Sequence, residues 1–171
     1  TYHALSMIKN SDLTSSDTSL TVLPLFHTGG LNLFTAPTIY QGATLTLQKT
    51  FDPEKTIQII EDEGVNLMFA VPTIYREMME TSNFEKADFS SIRVLMNGGD
   101  YCPPEIIKKY KNEGIKFVHS YGLTESSPGV FANSYRDEKA VEKSIEGSVG
   151  KPLFHSEVKI VDEDSKEVGT G

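Results

Sequence analysis

Short apolar runs alternate along the chain with segments in which apolar positions recur every three or four residues. The runs fall at residues 20–23, 43–47, 66–71, 92–96 and 116–119. Each is rich in β-branched or other apolar residues and is closed by Gly, Pro or polar residues, which predicts five strands. Helical spacing fills the intervals. Asp52 and Pro53 supply a capping side chain and a first-turn proline ahead of Ile57, Ile59 and Ile60, and Gly64 closes that helix. Pro103 and Pro104 open a second, with Ile106, Ile107 and Tyr110 facing inward and Gly114 at its end. A third, residues 73–80, places Ile74, Met78 and Met79 on one face. Residues 31–40 are apolar nearly all round and contain Pro37, which predicts a buried helix broken early.

Strands separated by helices are the pattern of an α/β fold, a mostly parallel sheet flanked by helices. The composition then changes. Residues 136–146 are charge-rich and read as a surface helix or loop, and the glycines of Gly147, Ser148, Val149, Gly150, Lys151 and Pro152 form a turn cluster. Beyond it, residues 157–162 read as a strand with polar flanks that starts a second sheet. The expected division is therefore an α/β subdomain over 1–146 and the start of a β-rich subdomain over 147–171. The first residue is Thr1, and Val168, Gly169, Thr170 and Gly171 read as a turn, so both borders are expected to be cuts in a longer chain.

A length of 171 residues suits one domain with its own core, and 38% hydrophobic with 23% charged residues is ordinary for a folded globular chain. The formal net charge of −8, without clustered Lys and Arg, argues against nucleic acid as a partner. No apolar stretch reaches the ~20 residues that span a bilayer and no leader pattern opens the chain, which gives the expectation of a cytoplasmic protein without a transmembrane segment. The single cysteine, Cys102, excludes an internal disulfide and leaves two readings, a small buried hydrophobe or a reactive thiol.

In open parallel sheets ligands bind beyond the carboxyl ends of the strands, so the residues after each run carry the candidate chemistry. After the fifth come Tyr121, Gly122, Leu123, Thr124, Glu125 and Ser126: an aromatic plane, a close-approach glycine, a hydroxyl and a carboxylate. Those groups suit a nucleotide with a metal ion, since a base stacks on Tyr121, a phosphate accepts from Thr124 and Mg2+ takes oxygen ligands. A plain polar turn is the other reading. Gly98 and Gly99, followed by Asp100, are either a tight turn or a nucleotide wall. His27, ahead of Gly29 and Gly30, either gates a cavity or is a satisfied structural histidine.

Taken together, five blocks resemble the acyl-adenylate-forming (AMP-forming) superfamily, in its acyl-CoA synthetase branch. They are Leu23 to Gly30, Val71 to Tyr75, Asn97 to Gly99, Tyr121 to Glu125 and Gly147 to Pro152, in the family's order and approximate spacing. The resemblance runs from about Val22 to the end. It implies a two-step ligase in which a carboxylate and ATP give acyl-AMP and pyrophosphate, and the thiol of coenzyme A then displaces AMP. By the resemblance Glu125 coordinates Mg2+ and Thr124 contacts the α-phosphate. Tyr121 stacks on adenine against the backbone of Gly98, Gly99 and Asp100. His27 sits between the acyl pocket and the thiol's entry, and Pro72, Thr73 and the Gly122 backbone line the acyl pocket.

Departures accompany the resemblance. Asp100 and Tyr101 stand where many relatives have Ala-Pro or Glu, and Phe154, His155 and Ser156 precede Glu157 where a glycine is frequent. A Ser/Thr/Gly-rich phosphate loop is absent from the chain, as are the ribose-binding aspartate block and the lysine-bearing C-terminal domain. The expectation is an internal piece of the ligase's large N-terminal domain, partnered by the rest of its polypeptide and inactive alone. Gly29 and Gly30 are compatible with a tunnel for a linear chain, which favours a fatty acid. An aryl or succinylbenzoate-like acid, or transfer to a carrier protein, is the alternative within the chemistry; a non-catalytic nucleotide-binding module is the alternative outside it.

Overall fold

Five parallel strands form at the expected runs in the computed structural model of the chain, which describes residues 1–137 and 139–169. They are β1 (Thr18–Thr21), β2 (Thr44–Leu47), β3 (Leu67–Ala70), β4 (Val94–Asn97) and β5 (Phe117–Gly122), in the spatial order β2-β1-β3-β4-β5. Two short antiparallel strands extend the sheet beyond β5: β6 (Gly129–Ala132) and β7 (Lys151–Pro152). β6 had no counterpart in the sequence pattern, because four residues that include Gly and Ala lack the apolar density of a buried strand. It forms because the chain doubles back onto β5.

The strand expected at 157–162 is not formed. That stretch makes one isolated antiparallel bridge, Val161 with Glu167, and residues 157–169 are exposed. A strand with polar flanks needs a partner edge, and no neighbouring strand lies against this one among the described residues. Thr170 and Gly171 of the expected terminal turn, and Glu138 of the charged segment, lie outside the described residues.

Seven helices cover the sheet: α1 (Tyr2–Ser11), α2 (Thr28–Gly30), α3 (Ala36–Gln41), α4 (Pro53–Glu63), α5 (Pro72–Met79), α6 (Pro104–Asn112) and α7 (Ala140–Ile145). The capping reading of α4 holds in detail: the Lys55 N–H donates to the Asp52 carboxylate at 2.9 Å and Gly64 ends the helix at φ 60°. α1 escaped the pattern because its buried face is half polar, with His3, Ser6 and Ser11 beside Ala4 and Met7. α7 arises in the charged segment and buries Ala140, Val141 and Ser144.

Pro37 does not break its helix. A π-helical turn, Leu31–Thr35, joins α2 to α3, and Pro37 enters within the first positions of α3, where its missing N–H costs least. Burial there is one-sided rather than complete, since Leu33, Phe34 and Thr38 are buried while Leu31, Ile39 and Tyr40 are exposed.

Alternation along the strands divides the apolar side chains between two cores, one on each face. Met68, Ala70, Leu95 and Phe117 pack with α4, α5 and α6 through Ile57, Ile60, Tyr75, Ile106 and Tyr110. Leu67, Phe69, Val94, Met96 and Val118 pack on the opposite face with Met7, Leu33 and Phe34. The buried phenols are satisfied: Tyr75 donates to the Met96 carbonyl and Tyr110 to the Tyr75 carbonyl, both at 2.9 Å. Cys102 is buried, and burial, followed by the nearby Glu105, pushes its thiol up to about 12. It is a core residue, not a thiolate.

Arg93 fastens the end of α1 to the sheet. Its guanidinium grips the buried Asp17 carboxylate through two hydrogen bonds, of 2.6 and 2.9 Å, and also donates to the carbonyls of Ser11 and Asp12. Burial alone would raise the Asp17 carboxyl. The hydrogen bonds from Arg93 and Thr14 outweigh it and hold the group below its ordinary value. Arg93→Ala leaves that charge buried and unpaired, and should cost about 3 kcal/mol at neutral pH. A carboxyl lowered in the folded state stabilises above its unfolded pKa of ~3.9, and that stability is lost as pH falls through the folded value. Urea denaturation should therefore show the gap between wild type and variant widest near neutrality and narrowing below about pH 4. A gap that stays constant on acidification would remove the ion pair from this role.

Candidate functional site

Because β3, β4 and β5 run parallel, their carboxyl ends open on one side of the sheet. There the structure has a cavity of about 440 Å3. One wall is apolar, built from Leu23, Phe26, Leu33, Phe69 and Val71; the other is the backbone at Gly99 and the segment from Ser120 to Thr124. Phe26 is 94% exposed at the mouth and Tyr121 46%. A space of this size with few polar groups is a typical small-molecule site.

His27 stands at the rim as the N-cap of α2. Its Nδ1 accepts from the Gly29 N–H at 3.0 Å, satisfying one of the free amides of that helix end. Gly29 lies against the Phe69 ring, where an added methyl would meet Phe69 at 3.4 Å and His27 at 3.2 Å. Gly30 is glycine for a different reason: a methyl there would overlap the Pro24 carbonyl, so the pair packs backbone on backbone. This glycine leaves no open space behind it.

Gly98 is buried flat on β5, since a methyl would lie 2.8 Å from both the carbonyl and the hydroxyl oxygen of Ser120. Gly99 follows at φ 83°, in the left-handed region, and reaches the cavity. Asp100 is exposed and its carboxylate accepts from the Tyr101 N–H at 2.7 Å. β5 itself is held by a polar cluster. The Ser144 hydroxyl accepts from the His119 N–H at 3.1 Å and from Asn133 at 3.0 Å, which anchors α7 to the strand that carries Tyr121. Burial lowers the His119 imidazole pKa, while the Asp100 backbone works weakly the other way.

After β5 the chain makes a 3-10 turn, Thr124–Ser126, that returns it to β6. The Ser126 hydroxyl accepts from the Leu123 N–H at 2.9 Å and lies 2.8 Å from the Leu123 and Pro128 carbonyls, so the turn is pinned at both ends. Thr124 faces the cavity, and Glu125 stands exposed on the same turn. The described residues contain no group of three or more His, Cys, Asp and Glu able to cage a metal. One exposed carboxylate beside a cavity fits Mg2+ of the kind held mostly by phosphate oxygens and water.

Of the residues singled out from the sequence, the fold gathers His27, Gly99, Tyr121, Gly122 and Thr124 around one cavity. Gly98 lies beneath that lining, and Asp100 and Glu125 beside it. Pro72 is buried as the first residue of α5 and Thr73 is exposed, while Val71 forms the wall next to them. Phe69, Ser120 and Leu33 belong to the lining without having been singled out. Phe69 and Ser120 each sit at or near the end of a strand run, which is the signal that could have found them.

Comparison with known proteins gives a consistent answer. The family described as AMP-binding enzyme matches residues 1–171. The chain is 34% identical to a feruloyl-CoA synthase from Amycolatopsis sp over 171 residues, all of this chain and 34% of that protein. It is 34% identical to the indoleacetate-CoA ligase of Aromatoleum aromaticum, over 99% of this chain and 32% of the relative. Among solved structures, the N-terminal domain of FACL13 from Mycobacterium tuberculosis superposes with a TM-score of 0.88 at 30% identity, over 98% of this chain and 41% of that one. The o-succinylbenzoate CoA synthetase of Bacillus subtilis, in complex with its acyl-adenylate intermediate, gives 0.82 at 31% identity over 97% of this chain and 32% of that one. The chain spans about a third of the length of the curated relatives it matches.

Proposed function

The chain belongs to the AMP-binding enzyme family, and from that premise we propose that it is part of an acid-thiol ligase that converts a carboxylic acid and ATP to acyl-AMP and pyrophosphate, then passes the acyl group to coenzyme A. The cavity carries this reading, because an apolar wall for an acyl body faces a glycine and hydroxyl wall for a nucleotide. Tyr121 and the Gly98–Gly99 backbone bound the adenine, and the Thr124 hydroxyl donates to the α-phosphate. Glu125 would hold Mg2+, which would supply positive charge against the negative charge gathering at phosphorus. His27 stands where acyl group and thiol meet. Residues 1–146 supply these walls and 147–171 lead into the following subdomain. The phosphate loop, ribose carboxylate and C-terminal lysine come from the remainder of the polypeptide, without which the chain is inactive. We place the enzyme in the cytoplasm; no helix among the described residues is long and apolar enough to cross a membrane.

The acid we favour is compact and apolar, aryl or short-chain. A long fatty acid drew its support from Gly29 and Gly30 as a tunnel, and Gly30 is instead closed by Pro24. The ring of Phe69 beside Gly29 suits a flat body. Coupled pyrophosphate release by the intact polypeptide should be highest with aryl acids from a panel of cinnamates, indoleacetate, succinylbenzoate and saturated fatty acids. Release with none of them would end the ligase reading. A tenfold preference for long fatty acids would end the compact-acid reading alone.

A further inference from the structure

α1 buries His3 and Ser6, and both meet His155 in the segment that leaves β7. The His3 and His155 rings are nearly perpendicular, with centroids 5.5 Å apart and planes at 77°. Ser6 Oγ stands 2.7 Å from His155 Nδ1. Whichever atom donates in that hydrogen bond, His155 Nε2 is left over, buried and without a partner among the described residues. His3 is 9% exposed, and both of its ring nitrogens are buried and unpartnered among the described residues. Three such nitrogens in two adjacent rings call for a ligand, because buried polar atoms nearly always find a partner and an exception marks a bound ion or water.

The pair has the chemistry of a metal site. Burial, followed by the charge of His155, brings the His3 imidazole down to about 4, the Asn32 backbone opposing this only in part, and burial lowers His155 as well. Neutral rings are the form that ligates a metal. Two imidazoles holding one ion at the ~2.0–2.1 Å of a Zn–N bond, with a tetrahedral angle between them, have centroids roughly 5 Å apart. The observed separation of 5.5 Å is close to that. Ser6 supplies what a ligating histidine usually has, a partner on its other nitrogen that fixes the tautomer and the ring. Imidazole nitrogen suits Zn2+, Ni2+ or Cu2+, whereas Mg2+ takes oxygen, so this site differs in kind from the carboxylate at Glu125. Two side chains are fewer than a closed cage needs, so water completes the coordination. Gly129 of β6 packs on the same ring, since a methyl there would come 3.0 Å from His3 Cε1. His155 falls in the stretch from Phe154 to Ser156 where the sequence departs from its relatives' pattern, and the ligase reading gives it no task.

We infer that His3 and His155, the latter oriented by Ser6, bind one divalent transition-metal ion of the Zn2+, Ni2+ and Cu2+ class, which staples α1 to the chain after β7. The test uses the intact polypeptide, stripped with a chelator and kept in excess Mg2+ so that oxygen sites are filled. Titration with Co2+ should raise visible absorption bands that saturate at one ion per chain and are displaced by Zn2+. Zn2+ should also raise the melting temperature, because it binds the folded state. His3→Gln and His155→Gln should each abolish both effects, and Ser6→Ala should weaken Co2+ affinity about 10–100-fold. His155 is half-buried, so its substitution is the milder one and carries the test if His3→Gln does not fold. Absence of a saturable Co2+ band, the result a buried water between the rings would give, overturns the inference. Bands and a melting shift that survive both histidine substitutions overturn it as well. Neither result touches the ligase reading.

Discussion

Glu125→Gln in the intact polypeptide should slow acyl-adenylate formation by about 10²-fold or more, with little change in folding stability. The substitution keeps the shape of the side chain and removes its charge. Glu125 is exposed on the 3-10 turn that puts Thr124 in the cavity, so its carboxylate has no structural partner to abandon among the described residues. Under the proposed role its loss would fall on the metal and on the charge developing at phosphorus, where single electrostatic contacts are typically worth ~10²–10³ in rate. The readout is pyrophosphate exchange at saturating acid, with the Mg2+ dependence recorded. A right-shifted Mg2+ requirement together with the slower exchange is the expected signature. Exchange at the wild-type rate would take Glu125 out of the proposed mechanism.

Gly122→Ala should be as damaging to activity and more so to stability. A methyl at Gly122 would overlap the Pro128 carbonyl oxygen and sit 2.9 Å from the Gly129 Cα. Both neighbours are backbone, so no side chain can swing away. The register between β5 and β6 already shifts at Tyr121 and Gly122, so the pairing is irregular where the methyl would be added. Relief requires β6 to move off β5 or the turn between them to open, and that turn carries Thr124 and Glu125. Overpacking costs ~1–3 kcal/mol where side chains can adjust; against backbone we expect about 3 kcal/mol or more, with adenylation reduced about 10²-fold, since small displacements of positioned groups cost that much. Gly64→Ala is the control. It has φ 60° but open space around it, so it should cost about 1 kcal/mol of backbone strain and leave adenylation alone. Equal melting temperatures for the Gly122 and Gly64 variants would show that the close approach of Pro128 is not what fixes glycine at 122.

Sequence alone determined the five parallel strands and the helices α4, α5 and α6, and the physical reason is local. Parallel strands buried on both faces need unbroken apolar runs, and prolines and glycines such as Pro53, Gly64, Pro104 and Gly114 can stand only where a helix begins or ends. It also pointed to the end of the sheet where the cavity lies, because a parallel sheet opens its ligand space beyond its strand ends, and Gly99, Tyr121 and Thr124 line that cavity. Tertiary structure decided the rest. α1 buries His3, Ser6 and Ser11, so its inward face carries no apolar period to read. Residues 129–132 become a strand only because β5 is beside them, and 157–162 do not because no edge is. The break expected at Pro37 is absorbed by a π turn whose register no propensity contains. Phe69 and Met68 look alike within their run, and only the packing of α1 and the π turn on one face and α5 on the other sends Phe69 to the cavity and Met68 to the opposite core. Gly30 and Gly122 are held as glycine by Pro24 and Pro128, whose carbonyls approach through folded space, and a contact made by folding leaves no mark in the spacing of residues along the chain.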